Sequence, residues 1–252
     1  MKFIRFSLAG EIGYGVLQDG VINPIEGDLF NNYKILEKTI DLKDVKLLPP
    51  ISPGKIIAVG LNYLDHVGEV SAAASVPEEP MTFMVSNTAV IGPDDNIKLA
   101  SYERRTDHEC ELVVVIGKEC FNVSEDKALD YVFGYTCGND VSDREIQKKD
   151  GQWTRAKSFP TYKPLGPWIE TELDPTNLDI QTYVNGELKQ NSNTKHMIFP
   201  VARLISFLSS FMILYPGDVI YSGTPQGVSP IKSGDVVEVK IHGIGVLKNK
   251  VI

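Results

Sequence analysis

The sequence has few cysteines, no long apolar stretch and no signal-peptide core at its start. Its three cysteines, Cys110, Cys120 and Cys137, are odd in number and match no zinc-ligand spacing, so neither a disulfide framework nor a zinc site is predicted. No segment approaches the length and apolarity of a transmembrane span, which predicts a protein that does not cross a membrane. We therefore expect a cytoplasmic protein whose thiols are reduced.

Basic residues are also in the minority. The chain carries 33 Asp and Glu against 25 Lys and Arg, for a formal net charge of −8. This balance argues against nucleic acid or an anionic membrane as a partner, because both are bound through basic surfaces. An apolar content of 42% over 252 residues is sufficient for a substantial core. The 21 glycines and 15 prolines indicate many turns, as in a β-rich fold.

Short strand-like segments dominate the pattern of apolar residues. Residues 1–25 alternate around four glycines, residues 56–59 form a short apolar run, and residues 235–252 alternate well enough for two closing strands. Asn185-Gly186 between strand-like flanks predicts a hairpin, and helical patterns begin at Ser124 and Pro200. This irregular order predicts an α+β fold, a mixed β-roll with few helices rather than a doubly wound sheet.

A turn-rich link interrupts the pattern at residues 47–54, which read LLPPISPG. Clusters of proline and glycine of this kind mark loops between structural units. We predict a small β-rich N-terminal domain over residues 1–53 and a larger domain over residues 54–252.

Three acidic residues stand beside two strand-like segments. Glu109 and Glu111 come just ahead of the β-branched run 112–116, and the period of two places them on one face of a strand. Two carboxylates held so close repel unless a proton or cation lies between them. Asp140 follows the strand-like segment 132–137 and could reach the same point, and three acidic oxygens favour Mg²⁺ or Mn²⁺. The alternative is the solvated face of a strand followed by a turn aspartate.

His66 and Glu69 are three residues apart, so they share one face if their segment is helical. A carboxylate that accepts from one imidazole nitrogen leaves the other nitrogen free to take a proton from water. Taken alone, the pair is better explained as a surface histidine with an acidic neighbour on the same helix.

Two further segments carry groups that suit an anionic substrate. Arg155 and Lys157 lie on the same side if their segment is extended, where either could hold a carboxylate or stabilise an enolate. Gly223 and Thr224 follow a strand-like run and offer backbone N–H groups and a hydroxyl that could cup an anion. The alternatives are two solvated cations and an ordinary turn.

Taken together and in this order, these segments resemble the fumarylacetoacetate hydrolase family over about residues 54–252. The stretches that carry the resemblance are 59–63 (VGLNY) with 65–66 (DH), 108–112 (HECEL), 134–135 (GY) with 139–142 (NDVS), 150–157 (DGQWTRAK), 164–168 (PLGPW) and 222–225 (SGTP). The likeness is to the small acylpyruvate hydrolase and 2-hydroxyhepta-2,4-diene-1,7-dioate isomerase branch. It implies a mixed β-roll core, a homodimer and a Mg²⁺ or Mn²⁺ site.

The resemblance also implies roles for individual residues. The family's metal carboxylates fall on the acidic residues already singled out, Glu109, Glu111 and Asp140. Its other functional positions are occupied here by a His–Glu pair on a lid (His66 and Glu69), an active-site lysine (Lys157), a glutamine near the metal-bound water (Gln147) and a threonine for the substrate carboxylate (Thr224).

Members of the family cleave C–C bonds in 2,4-diketo acids such as acylpyruvates and fumarylpyruvate. The resemblance therefore suggests a hydrolase in which a divalent ion and Lys157 stabilise an enolate, while His66, oriented by Glu69, activates water. Two alternatives remain open. Relatives isomerise 2-hydroxy-dienoic acids or decarboxylate 2-oxo acids such as oxaloacetate, and a catalytically idle relative would bind only metal and a small acid.

The chain departs from the family pattern at three positions. Val85, two residues after Phe83, stands where a lysine is common, so a cation expected near the far end of the substrate is missing. Asp143 replaces a small residue and Glu145 replaces an aspartate. We expect Asp143 to add negative charge near the site and to disfavour a second substrate carboxylate.

Overall fold

The computed structural model describes residues 1–70 and 76–252, without the side chains of residues 69 and 70. The strands are β1 (Lys2–Leu8), β2 (Glu11–Gln18), β3 (Val21–Gly27), β4 (Tyr33–Ile35), β5 (Ile40–Asp41), β6 (Lys46–Leu47), β7 (Ile56–Gly60), β8 (Met81–Val85), β9 (Val90–Ile91), β10 (Thr106–Asp107), β11 (Cys110–Ile116), β12 (Val132–Asn139), β13 (Ser142–Asp143), β14 (Lys163–Glu170), β15 (Asp179–Val184), β16 (Glu187–Asn193), β17 (Val219–Tyr221), β18 (Val236–Ile241) and β19 (Gly245–Lys250). The α-helices are α1 (Leu64–Val70), α2 (Arg144–Asp150), α3 (Thr154–Lys157) and α4 (Val201–Ser209), and short 3₁₀ helices span Leu42–Asp44, Asn87–Ala89, Glu125–Tyr131 and Thr194–His196.

A large mixed sheet organises the chain, in the order β4-β3-β2-β1-β14-β12-β11-β17-β7-β8. Most neighbours are antiparallel, but β17 runs parallel to β7 and β9 runs parallel to β14. A second sheet has the order β16-β15-β18-β19, and β10 pairs with β13. The predicted α+β fold, sheet-dominated and with few helices, is confirmed.

Strand β11 lies at the centre of the large sheet and is buried on both faces. Leu112 and Val114 pack into the same apolar cluster as Leu204 and Leu208 of helix α4. Val113 on the opposite face belongs to a second cluster with residues of β7, β8 and β17. A strand covered on both faces explains the continuous apolar run, because neither side of the pleat meets water.

Strands β1 to β6 contain the N-terminal part of the chain and join the same large sheet. Strand β1 pairs with β14 through Lys2 opposite Glu170 and Phe3 opposite Ile169. Phe3 also belongs to the apolar cluster that contains Val113. The division of the chain at residue 53 stays a prediction.

Local expectations were met in part. Asn185 and Gly186 both have positive φ, as the predicted two-residue hairpin between β15 and β16 requires. The segment after Ser124 forms a 3₁₀ helix without a side-chain cap hydrogen bond, and Pro200 is the N-cap of α4 rather than its first residue. Phe211 lies beyond the end of α4 and is exposed. No helix among the described residues is long and apolar enough to cross a membrane.

Candidate active site and metal centre

Two antiparallel strands bring the three acidic residues together. Cys110 of β11 lies opposite Asn139 of β12, and the backbone N–H of Asp140 donates to the carbonyl of Glu109 at 2.8 Å. Glu109, Glu111 and Asp140 each place one carboxylate oxygen within 4.8 Å of the others, and all three side chains are buried. The structure therefore brings together the three acidic residues that the sequence pattern indicated.

The intervening residues point to the other side, as the period of two predicts. The His108 ring lies 3.1 Å from Gln190 Oε1 through Nδ1 and 2.9 Å from Ser229 Oγ through Nε2. Burial lowers the pKa of His108 to about 4, so the ring is neutral at pH 7. His108 therefore lies on the opposite side of the strand from the carboxylate cluster.

Buried cations contact the carboxylate cluster. Lys157 Nζ lies 2.8 Å from Glu109 Oε2 and 2.5 Å from Asp140 Oδ2. Lys163 Nζ contacts the other oxygen of Asp140, and an Nη of Arg144 lies 2.7 Å from Glu109 Oε1. Two carboxylates are thus ion-paired, which offsets the cost of burying their charge.

Glu111 differs from its two neighbours because its carboxylate accepts from a backbone amide, the N–H of Gly223, at 2.7 Å. Burial and the charge of Asp140 raise the pKa of Glu111 well above its usual value. Burial also disfavours the ionised form of Glu109, but Lys157 and Arg144 outweigh it and lower the pKa of that carboxyl.

This donor set fits a hard divalent cation. All of its ligand atoms are carboxylate oxygens, and they lie close enough to share one ion. A cation among them would favour the ionised form of Glu111, whose charge burial and Asp140 otherwise disfavour. Glu109, Glu111 and Asp140 are the residues that would hold Mg²⁺ or Mn²⁺.

Gly223 has a different contact from the one expected of it. Its N–H, predicted to cup a substrate anion, is engaged by Glu111. Its φ is +97°, and a Cβ at this position would lie 2.7 Å from the Cβ of Asn62. Only glycine combines this backbone conformation with so close a neighbour.

A cavity of about 560 Å³ adjoins the carboxylates. Its lining includes most of the residues predicted from the sequence, namely His66, Glu109, Glu111, Gln147, Lys157 and Thr224. Trp153 also lines it and makes an edge-to-face contact with Phe83. The cavity is large enough for a small organic acid.

His66 lies on α1, as its helical spacing with Glu69 predicts, and its side chain is buried. It lies close enough to Glu109 to help lower the pKa of that carboxyl. The predicted partner, Glu69, belongs to the same helix, but its side chain lies outside the described residues. The His–Glu pair therefore stays a prediction.

Arg155 is not brought to this cavity. The prediction assumed an extended segment, whereas residues 154–157 form helix α3, which turns successive side chains in different directions. The Arg155 guanidinium is exposed and pairs with Asp150 at 2.5 Å, while Lys157 faces the carboxylates. The extended geometry was wrong, and the expected side-by-side pair of cations does not form.

Gln147 and Thr224 line the cavity, and each has a protein partner. Gln147 Oε1 accepts from an Nη of Arg144 at 2.9 Å. Thr224 Oγ1 accepts from Gln190 Nε2 at 2.8 Å. Both side chains are therefore held in place within the lining.

The departures from the family pattern have structural explanations. Val85 is buried in an apolar cluster of the large sheet. Asp143 caps helix α2 by accepting from the N–H of Ile146 at 3.1 Å, and Arg104 Nε lies 2.6 Å from its carboxylate. Arg104 thus offsets the negative charge that the sequence places near the site. Glu145 accepts from the backbone N–H of Arg105 at 3.3 Å.

Sequence reasoning missed two cations of the cluster. Lys163 is fully buried and its ammonium also donates to the carbonyls of Lys157 and Tyr162. A lysine within the apolar segment ahead of Leu165 was the available signal, since lysine is rarely buried without a partner. Arg144, the first residue of helix α2, pairs with both Glu109 and Asp107, a contact between distant parts of the sequence that spacing does not indicate.

The chain is similar to several known proteins. A 2,4-didehydro-3-deoxy-L-rhamnonate hydrolase of a Sphingomonas species is 40% identical, with 100% of this chain and 96% of that protein covered. The structure of a 5-carboxymethyl-2-hydroxymuconate delta-isomerase from Mycobacterium smegmatis is 42% identical with a TM-score of 0.93, covering 100% of this chain and 99% of the other. A maleylpyruvate hydrolase from a Sphingobium species, in complex with manganese(II) and pyruvate, is 29% identical with a TM-score of 0.84 and covers 100% and 99%.

The two ends of the chain match different family descriptions. Residues 1–50 match the family described as Rv2993c-like, N-terminal. Residues 55–252 match the family described as Fumarylacetoacetate (FAA) hydrolase C-terminal. This second match spans the carboxylate cluster and its cavity, and the chain belongs to the fumarylacetoacetate hydrolase family.

Proposed function

We propose that this protein is a divalent-metal-dependent hydrolase that cleaves a C–C bond in a 2,4-diketo acid of the acylpyruvate or fumarylpyruvate type. The observation that carries the proposal is a cluster of three buried carboxylates, two of which, Glu109 and Glu111, line a cavity that His66 and Lys157 also line. The pyruvate bound in the maleylpyruvate hydrolase structure, beside manganese, supports a 2-oxo acid as the ligand class.

Mg²⁺ or Mn²⁺ held by Glu109, Glu111 and Asp140 would supply Lewis-acid chemistry for the oxygens of a 2-oxo acid. The charge of Lys157, buried against the same carboxylates, is positioned to stabilise negative charge that develops on the substrate. The Thr224 hydroxyl lines the cavity and is a hydrogen-bonding group for the substrate carboxylate.

The remaining step requires water and a base. His66 takes a proton from water as the water oxygen adds to the distal C4 carbonyl of the substrate. The C3–C4 bond then breaks, its electron pair stays on C3, and protonation of C3 yields pyruvate and a carboxylic acid. Glu69 is proposed to orient His66, and Gln147, on the cavity wall, to hold the water.

An isomerase is the second candidate, because the similar Mycobacterium smegmatis structure, 42% identical, is that of a 5-carboxymethyl-2-hydroxymuconate delta-isomerase. Isomerisation uses the same stabilisation of negative charge but no attack by water. Decarboxylation of a 2-oxo acid shares this chemistry too.

The test is to incubate the protein with Mg²⁺ and a panel of acylpyruvates and 2-hydroxy-dienoic acids. The absorbance of the enol ultraviolet band is monitored and the products are analysed. Release of pyruvate supports the hydrolase, and loss of the band without cleavage supports the isomerase. A His66→Ala variant should lose most hydrolysis and retain Mn²⁺ binding. Wild-type rates in that variant would contradict the assignment of the base.

A further inference from the structure

The buried amide of Gln190, on strand β16, connects the second sheet to the cavity. Gln190 is fully buried, and none of its contacts is to the three carboxylates of the candidate metal centre. Its side chain reaches groups on three segments: the start of β11, strand β15 and the loop after β17.

Two backbone contacts determine which end of this amide is oxygen. The N–H of Cys110 can only donate, and it lies 3.0 Å from Gln190 Oε1. The carbonyl of Pro225 can only accept, and it lies 2.8 Å from Gln190 Nε2. If the amide were flipped, its N–H₂ group would face the Cys110 N–H and its oxygen would face the Pro225 carbonyl. Neither pair can form a hydrogen bond, so only the observed orientation is possible.

The neighbouring hydrogen bonds then acquire a direction. Gln190 Oε1 also accepts from Thr182 Oγ1 at 2.9 Å. The same oxygen lies 3.1 Å from His108 Nδ1, and because an amide oxygen can only accept, Nδ1 must carry a proton. In this neutral tautomer the His108 Nε2 atom accepts from the hydroxyl of Ser229, 2.9 Å away. At the other end, Gln190 Nε2 donates to Thr224 Oγ1 at 2.8 Å.

Thr224 is the last residue in this series of hydrogen bonds, and it lines the cavity. Because its oxygen already accepts from Gln190, its own proton is available for another acceptor. The thiol of Cys110 lies beside this hydroxyl and is a weak acceptor, which a carboxylate or carbonyl oxygen would displace.

We infer that Gln190 is a positioning residue that holds the Thr224 hydroxyl as a hydrogen-bond donor toward the cavity. The site thereby selects a ligand with an acceptor oxygen at that point, such as a carboxylate, over one that presents a hydroxyl or amine proton. This inference deepens the proposed function and rests on it for the nature of the ligand.

The first experiment tests the direction of these hydrogen bonds in the absence of any ligand. The protein has four histidines, and ¹⁵N labelling of their rings with assignment by a His108→Gln variant reports the protonated nitrogen of His108. The expected result is the tautomer with the proton on Nδ1. A proton on Nε2 would mean that Nδ1 accepts a hydrogen bond and that the Gln190 amide faces it with its nitrogen. Gln190 would then not donate to Thr224, and the inference would be overturned.

The second experiment measures binding of pyruvate by calorimetry in the presence of Mn²⁺. Gln190→Glu keeps an oxygen for Cys110 and Thr182 but removes the donor to Thr224, whose hydroxyl then turns to the new carboxylate. We expect pyruvate affinity to fall about tenfold or more, with Mn²⁺ affinity unchanged. Thr224→Val should cause a similar loss, and the double variant should bind no more weakly than Thr224→Val alone.

Asn249→Asp is the matched control. Asn249 is a buried amide whose nitrogen also donates to two backbone oxygens, those of Gly92 and Asp95, away from the cavity. It should lose stability and keep the pyruvate affinity of the wild type. Wild-type affinity in Gln190→Glu, or additive losses in the double variant, would refute a role through Thr224.

The two proposals fail in different ways. If wild-type protein with Mn²⁺ binds no pyruvate while His108 has the expected tautomer, the proposed ligand class is wrong and the hydrogen-bond chain stands. If wild-type protein binds pyruvate but the Gln190 variants bind it equally well, the proposed function stands and the role of Gln190 is wrong.

Discussion

At the scale of single residues, the site is a balance of buried charges. Glu109 and Asp140 are ion-paired to Lys157, and Asp140 also contacts Lys163. Such pairs are strongly coupled in a buried environment, so the loss of one partner changes the behaviour of the others.

Lys157→Met should separate catalysis from metal binding. Removal of the ammonium deletes positive charge near the substrate and should lower kcat about 100-fold or more. It also frees oxygens of Glu109 and Asp140, so Mn²⁺ should bind as tightly as in the wild type or more tightly. Steady-state kinetics and calorimetry test this, with the exposed Lys149→Met as control. Weaker Mn²⁺ binding in Lys157→Met alone would contradict it.

Binding of Mg²⁺ should release a proton from Glu111. Burial and Asp140 raise its pKa above the ordinary 4.5, so the metal-free carboxyl retains its proton to higher pH than usual. Since the cation binds the ionised form, apparent affinity should rise with pH until the pH exceeds the raised pKa. The raised pKa also means that Glu111 disfavours the metal-free fold as pH rises through that range.

Calorimetry in buffers of different ionisation enthalpy measures the protons released. The Glu111→Gln variant should release fewer protons than the wild type. Equal proton release by the variant and the wild type would show that the proton comes from another group.

At the scale of elements, two strands and one tight turn build the centre. Strands β11 and β12 align Glu109 with Asp140, and the turn after β17 brings the Gly223 N–H to Glu111. The turn depends on a backbone conformation that side chains rarely adopt. A substitution in this turn should therefore affect stability and metal binding together.

Gly223→Ala should be costlier than an alanine at a comparable glycine. Gly223 and Gly234 share a φ of +97°, but only at Gly223 does a Cβ meet a neighbour within 4 Å. Gly234→Ala should cost roughly 1 kcal/mol through backbone strain. Gly223→Ala should cost about 1–3 kcal/mol more because the contact with Asn62 is overpacked. Urea unfolding measures both, and equal losses would contradict the role of the close contact.

The Mn²⁺ affinity of the same two variants gives an independent check. Displacement of the Gly223 N–H from Glu111 should weaken binding, whereas Gly234→Ala should leave it unchanged. Equal affinity in the two variants would show that the N–H contact does not position Glu111.

At the scale of the whole molecule, the predicted homodimer is the next property to measure. The fumarylacetoacetate hydrolase resemblance implies pairs of chains, and one chain has a mass of 27.9 kDa. Light scattering coupled to size-exclusion chromatography should give twice that mass at micromolar concentration. A mass of a single chain over the same range would contradict the prediction.

Much of the fold was accessible from local patterns. The β-branched run 112–116 predicted a buried strand, and Asn185-Gly186 predicted a hairpin, because each depends on neighbours in sequence. Helix ends were less accurate, as at Ser124 and Pro200, since competing caps and 3₁₀ turns differ little in energy.

The sequence by itself placed Glu109 and Glu111 on one face, because the period of two does so whatever surrounds the strand. The pairing of β11 with β12 then brings Asp140 to them. Only the tertiary structure decided which cations meet them. Lys163 and Arg144 reach Asp140 and Glu109 from separate elements, and Gln190 reaches Thr224 on the cavity wall from strand β16. Arg155 points away because residues 154–157 form a helix. Contacts between distant segments depend on packing of the whole sheet, which spacing along the chain does not encode.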